Sequence, residues 1–393
     1  MTLSTGEIEI FLILAALVSI LSRRLHVPIS VGLVLAGIFL TFFHYTAKIV
    51  LTKDLIFNVF LPPLVFEAAF NLQWREVKRD LGLILVLATG GVMVSAGVTA
   101  IGVHYLLHWE WVGAIVFGSL IAATDPVSVV SVFKESNFRG RLRTLVEAES
   151  LFNDVTAVVA FGLALSLIQS PSVDVFHLSA SLVTISAGSL FCGFAVSGLV
   201  LLISGRTDDH LVESLLTFIG AFGSFIMAEE LHFSGVLACV VAGLVIGNTG
   251  KLSTLSPRGR ESLDAVWEYI VFVANSLIFI LIGYREAHEN FLTGWGSIVT
   301  GIGIVLISRA AAIYPLCALF SRSSSRVEPV YQHLLFWGGL RGALALALVL
   351  GLPPELPHVH EIVTVSFAVV AFSIFVQGLT IIPLLRRMEN NLS

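Results

Sequence analysis

Apolar residues run along this chain in blocks of about twenty, separated by short polar stretches. That length suits a helix crossing a bilayer, and the blocks lack the two-residue alternation of a membrane β-barrel. Candidate spans fall at residues 7–22, 28–46, 51–72, 81–105, 111–133, 145–169, 178–204, 211–229, 231–248, 265–284, 294–320, 333–351 and 361–385. Gly, Pro and Ser recur inside several of them, as membrane helices tolerate. The pattern predicts an all-α polytopic membrane protein of about thirteen helices, with short loops, no soluble domain and a short tail at 386–393. An odd linker helix between two sets of six would invert the second half relative to the first, giving a 6+1+6 inverted repeat. No convincing self-similarity accompanies this repeat, which rests on topology alone.

Composition sharpens the reading. Of 393 residues, 56% are hydrophobic and 12% charged, against about a quarter charged in an ordinary soluble domain. A soluble enzyme and a disordered chain are excluded. Nucleic acid is excluded as a partner, because the net charge is −5 and no basic face exists. No Walker A sequence or nucleotide domain is present, so neither a nucleotide nor any other cofactor is expected. Alternate loops carry seventeen of the 22 Lys and Arg residues, among them Arg23, Arg24, Arg139, Arg141, Arg143, Arg386 and Arg387. The opposite loops hold Lys48, Lys53 and Arg285. The positive-inside rule then predicts a cytoplasmic C-terminus and an outside N-terminus; the expected location is a plasma (inner) membrane. The first span is no cleaved signal peptide, since Glu7 and Glu9 precede it and its basic pair follows it. Cys192, Cys239 and Cys317 lie within apolar spans at no metal-ligand spacing and read as small buried residues.

Charges inside spans are costly, about 2.5–3.5 kcal/mol each at mid-membrane on insertion scales, and so are functional candidates. Glu67, Asp125, Glu149, Asp154 and Arg309 lie deep, while Glu147 and Arg341 lie nearer span ends. In Ala123-Thr124-Asp125-Pro126 the proline disfavours helix in the residue before it, so the helix should break there. It could restart with Asp125 as N-cap and Pro126 as first helical residue; that cap alone is one reading of Asp125. The other is a broken helix lining a polar cavity, where freed carbonyls coordinate a cation. In Glu149-Ser150-Leu151-Phe152-Asn153-Asp154, the polar residues form one stripe at 100° per residue, with Ser150 and Asp154 stacked at i,i+4. At 1.5 Å per residue, Asp154, Asp125, Arg309 and Glu67 come to depths of about 13, 12, 16 and 9 Å, near one layer. Arg309 cannot shed its proton and needs a partner; Glu149 is the candidate, leaving Asp154 and Asp125 to titrate. Glu67 and Asn71 make an i,i+4 pair after Pro62-Pro63, either a structural hydrogen bond or an ion ligand. Arg341, in Trp337-Gly338-Gly339-Leu340-Arg341-Gly342, marks either a second disrupted helix or a helix-end Arg among close-packing glycines. The eleven histidines sit mostly in loops or near span ends.

Two carboxylates, a hydroxyl and broken-helix carbonyls are hard oxygen ligands, suited to a small hard cation. A buried carboxylate that holds either a proton or a cation, joined to alternating access, yields cation/proton exchange. The motifs Ala123-Thr124-Asp125-Pro126, Glu149-Ser150-Leu151-Phe152-Asn153-Asp154, Phe66-Glu67-Ala68-Ala69-Phe70-Asn71, Ser308-Arg309-Ala310 and Gly338-Gly339-Leu340-Arg341-Gly342 together resemble the NhaP-type cation/proton antiporters, relatives of the animal sodium/proton exchangers. The resemblance covers nearly the whole chain. It implies a homodimer in the lipid bilayer, with dimer helices in 1–80 and 178–284, a mobile core in 81–169 and 294–385, and crossed unwound helices. It implies Na+ and H+ bound in competition at Asp154 and Asp125, completed by Thr124 and Ser150. Asn153, Glu67, Glu149 and Arg309 would support the site, and Arg341 and Asn71 are less defined. Asn153 stands where electrogenic relatives carry an aspartate, which implies electroneutral one-for-one exchange. The expectation is thus a Na+ (or Li+)/proton antiporter and no enzyme, with K+/proton exchange, a cation channel and a non-transporting scaffold as rivals.

Overall fold

The structure, a computed structural model, describes residues 5–25, 27–42, 51–125, 140–169, 175–207, 209–254, 257–287, 294–323, 325–381 and 383–384. Among these no strand occurs. In chain order the principal helices are α1 (Thr5–Leu25), α2 (Ile29–Phe42), α3 (Leu61–Asn71), α4 (Trp74–Leu85), α5 (Gly91–Leu107) and α6 (Trp111–Ile121). There follow α7 (Arg141–Gln169), α8 (Val175–Ser204), α9 (His210–Glu230), α10 (Gly235–Val245) and α11 (Pro257–Glu286). The last are α12 (Trp295–Leu319), α13 (Pro329–Trp337), α14 (Ala343–Leu350) and α15 (Val359–Phe372). Wider π-turns at Ile56–Phe60, Val86–Gly90, Ile246–Thr254 and Ser373–Gln377 interrupt or extend them.

Each predicted span contains helix among the described residues. Among the described residues, eight helical segments are long and apolar enough to cross a membrane, and three shorter apolar ones accompany them. Large apolar side chains such as Leu17, Phe191 and Phe194 are more than half exposed, an arrangement that suits lipid and not water. Two predicted spans differ in detail from a plain rod. The span at 111–133 leaves helical geometry after Ile121, and beyond Asp125 it lies outside the described residues, as does the proposed restart at Pro126. The span at 333–351 is two helices, α13 and α14, around a non-helical segment at 338–342. The prolines at 62 and 63 open α3, where a missing backbone donor costs nothing, directly after the π-turn at Ile56–Phe60.

The chain forms two compact units. One comprises residues 57–79 and 170–275; here α10 packs on α3 and α8, and α9 lies against both α8 and α10. Glycines permit the close approach: a Cβ at Gly243 would meet the Phe66 carbonyl oxygen at 2.8 Å.

The other unit comprises residues 1–56, 80–169 and 276–393. In it α5 packs between α6 and α12, α7 lies on α6, and α15 lies on α12 and α14. Leu83, Leu87, Leu142, Leu145, Ile313, Leu334 and Leu335 form an apolar cluster that also seats Leu340 of the non-helical segment. At one edge α4 leaves helical geometry at Asp80, whose buried carboxylate takes a two-pronged bond from Arg141 (2.7 Å each). That guanidinium also donates to the Arg326 carbonyl at 2.9 Å, tying the start of α7 to the turn before α13.

Candidate functional site

Two chain breaks meet inside the second of these units. After α6 the residues Ala123, Thr124 and Asp125 are non-helical, and after α13 so are residues 339–342. The Asp125 backbone N–H donates to the Leu340 carbonyl at 2.7 Å, joining one break to the other. A helix end leaves its last carbonyls without intrahelical partners, an expensive omission away from water. Arg341 answers this for α6: its Nη1 donates to the carbonyls of Ala122 (2.7 Å) and Ala123 (3.0 Å). A cation at a helix C-terminus also offsets the partial negative charge there. Arg341 is thus part of a disrupted helix, and its glycines serve the break.

Those glycines make room for charged side chains. A Cβ on Gly342 would collide with the Asp125 carboxylate, and one on Gly339 would stand 2.5 Å from Arg309 Nε. Asp125 therefore lies against the residue that caps the N-terminus of α14, where the helix dipole favours an anion.

α7 supplies the polar stripe. Glu149, Ser150, Asn153 and Asp154 are all buried. Glu149 receives two bonds from Arg309, Nη1 to Oε1 at 2.9 Å and Nη2 to Oε2 at 3.1 Å. Arg309 is itself 4% exposed and also donates to the Leu335 carbonyl at 3.1 Å. The pair is closed, and Asn153 Nδ2 adds a longer bond to Glu149 at 3.4 Å. Ser150 Oγ and Thr124 Oγ1 are 3.1 Å apart, bridging the stripe to the first break. Asp154 lies within electrostatic reach of Asp125, Glu149 and Arg341 and beside the backbone of Thr124. Among the described residues, Asp154 Oδ1 and Asn153 Oδ1 are buried with no hydrogen-bond partner. Two buried acceptors without donors, beside hydroxyls and a broken backbone, are what a bare cation requires and what a protein avoids otherwise.

The structure therefore brings together Thr124, Asp125, Glu149, Ser150, Asn153, Asp154, Arg309 and Arg341. Glu67 and Asn71 belong to the unit of residues 57–79 and 170–275, where Asn71 Nδ2 donates to Glu67 Oε1 at 2.7 Å. Glu147 pairs with Arg143 at 2.7 Å and is part-buried. The sequence marks the glycines of 338–342 as serving a break or close packing, but not that Gly339 makes room for Arg309 and Gly342 for Asp125; it also misses the Leu340 carbonyl as an acceptor, and Gln377, which donates to the Trp337 carbonyl at 3.2 Å. For Gln377 a signal existed: it is the one amide side chain in the stretch 361–385, whose other polar side chains are Glu361, Thr364, Ser366, Ser373 and Thr380.

Comparison with known proteins gives concordant results. The family model described as the transmembrane sodium/hydrogen exchanger matches residues 11–387. The chain is 36% identical over 364 residues to the low-affinity Na(+)/H(+) antiporter NhaS1 of Synechocystis, covering 90% of this chain and 68% of that protein. It is 33% identical over 402 residues to the Na(+)/H(+) antiporter NhaH of Halobacillus aidingensis, covering 97% of each. The structure of the sodium proton antiporter MjNhaP1 from Methanocaldococcus jannaschii at pH 8 has the same fold, with a TM-score of 0.76 at 18% identity over 98% of this chain and 97% of that one.

Proposed function

Because the chain belongs to the sodium/hydrogen exchanger family and is a multi-pass integral membrane protein, we propose that it exchanges Na+ (or Li+) for H+ by alternating access. The observation that carries this reading is the buried Asp154 with an unpartnered Oδ1, set beside a helix broken at Thr124–Asp125. Asp154 is assigned the alternating load of cation or proton. Asp125, Thr124 and Ser150 complete the oxygen set for Na+, and Asn153 offers the second orphaned acceptor. Glu149 and Arg309 neutralise one another and are assigned a bracing role outside the titrating pair.

The cycle needs few parts. A carboxylate that holds Na+ when ionised and a proton when neutral crosses in either loaded form, and the costly empty anion stays out of the membrane. With one such carboxylate and Asn153 beside it, each turn moves one cation against one proton. We further propose a homodimer with dimer helices drawn from 1–80 and 178–284, a mobile core from 81–169 and 294–385, an inverted repeat of thirteen helices, an outside N-terminus and a plasma-membrane location. That the relatives from Synechocystis and Halobacillus are Na(+)/H(+) antiporters supports the choice of sodium.

Reconstituted vesicles with an internal pH dye test the reading. Added Na+ should move protons with saturation, K+ should not, and Asp154→Asn should abolish the signal. The apparent Na+ affinity should weaken as pH falls, by up to about ten-fold per unit once protons occupy the site. Cation-driven current without proton movement would refute exchange, and a response to K+ in place of Na+ would reassign the ion.

A further inference from the structure

α13 ends inside the protein at Trp337, where three of its last four carbonyls, those of Leu334, Leu335 and Trp337, have identified donors. Leu334 O accepts from the Gly338 N–H at 2.7 Å, and Leu335 O accepts from Arg309 at 3.1 Å. Trp337 O accepts from Gln377 Nε2 at 3.2 Å. Gln377 is 3% exposed and ends the π-turn Ser373–Gln377, in which the Gly378 N–H reaches back five residues to the Ser373 carbonyl. Such turns insert one residue into a helix and recur at functional sites. This one sets Ser373 Oγ 2.7 Å from Gln377 Oε1, so the hydroxyl holds the amide oxygen and leaves the NH2 to face the Trp337 carbonyl. The same stretch holds the Trp337 ring, whose Nε1 donates to Thr380 Oγ1 at 2.8 Å.

Ser373 and Gln377 form one wall of a small cavity whose other walls include Arg309, Gly339 and Arg341. Arg309 Nε is buried there without a partner among the described residues. In sequence the amide lies outside the quoted motifs, yet it holds the carbonyl of Trp337, the residue from which the broken segment 338–342 departs.

We propose that Gln377, oriented by Ser373, is a positioning residue of the cation site, acting through the broken segment. Fixing the Trp337 carbonyl fixes the Leu340 carbonyl that receives the Asp125 N–H, and the Arg341 guanidinium that caps α6. Loss of the amide lets the segment shift, and with it Asp125. This inference rests on the exchange reading above.

The test uses the full-length protein in vesicles with a pH dye, with Na+ titrated for wild type, Gln377→Leu, Gln377→Glu and Ser373→Ala. Gln377→Leu should raise the apparent KM for Na+ by about ten-fold, the worth of one hydrogen bond, with maximal rate per folded molecule within about two-fold of wild type. Ser373→Ala, which only frees the amide to rotate, should raise KM by about two- to three-fold. Gln377→Glu should match wild type at low pH, where the acid O–H donates to the carbonyl. Its KM ratio to wild type should climb as pH rises and that proton is lost. Unchanged KM ratios in Ser373→Ala and Gln377→Glu, with only protein yield or maximal rate reduced, would overturn the proposal and leave Gln377 a packing residue. These two variants decide the matter even where Gln377→Leu fails to fold. Wild type serves as the separate control: absent Na+-driven proton movement in wild type refutes exchange itself, whereas an active wild type with insensitive variants refutes only the positioning role.

Discussion

Gly339 and Gly342 show how small a change would reach the carboxylates. At Gly342 the constraint that the neighbouring atoms impose is one of space. A methyl there would lie 2.5 Å from the Asp125 Cβ and 2.7 Å from its Cγ, closer than packed atoms come. Gly342→Ala should therefore fold with a loss of about 1–3 kcal/mol, typical of overpacking, while displacing Asp125. The measurable result is apparent Na+ affinity weakened by about ten-fold or more in the vesicle assay, with modest change in thermal stability. Gly339→Ala presses instead on Arg309, whose guanidinium is held by Glu149 and the Leu335 carbonyl and has little freedom to retreat. Its effect should appear mainly as a lower melting temperature in detergent. Were the two variants to exchange these phenotypes, the glycines would not be acting through the side chains named.

At the scale of elements, one guanidinium links three helices: Arg309 extends from α12 to Glu149 on α7 and to the end of α13. Removing one member of a buried pair strands the other, at about 3–5 kcal/mol, whereas replacing both by neutral groups of similar size is often tolerated. Arg309→Met should thus collapse thermal stability, and Glu149→Gln with Arg309→Met should recover much of it; a double variant no better than the single one would mean that the pair is not the strut. Much of this architecture is legible in the sequence, because a bilayer forces each apolar block into a helix and makes every buried charge conspicuous. Glu149, Arg309 and the Asn153–Asp154 stripe follow from periodicity and depth. The two helix ends do not. Which groups take the orphaned carbonyls of Ala122, Ala123 and Trp337 depends on contacts more than two hundred residues apart for Arg341, and on a π-turn for Gln377. Local pattern carries no record of such pairings. Asp80 escaped notice for a related reason: it reads as a loop charge, and only the fold buries it against Arg141.

For the molecule as a whole, an expectation for the charge moved per cycle follows from the proposed exchange and the formal charges of the buried layer. Its formal charges are Asp125, Asp154 and Glu149 against Arg309 and Arg341, and the Glu149–Arg309 pair is closed. Arg341 is committed to the α6 carbonyls. Three carboxylates against two guanidiniums leave one negative charge for Na+ or H+ to neutralise, and on the proposed one-for-one exchange the loaded layer would carry the same charge in both directions of travel. Exchange should then be indifferent to membrane potential. A net charge moved would instead be worth about 2.3 kcal/mol per 100 mV, enough to shift the balance of gradients by tens-fold. In vesicles holding fixed Na+ and proton gradients, the point of zero net proton flux should stay put when a potential is imposed with a K+ gradient and valinomycin, K+ alone having first been shown not to drive the exchanger. A null point that tracks the imposed potential would mean that more than one proton is carried per Na+, and that Asp125 changes its own protonation in the cycle. Asn153→Asp then offers the converse experiment: a second carboxylate in the stripe should make the null point follow the potential where wild type does not.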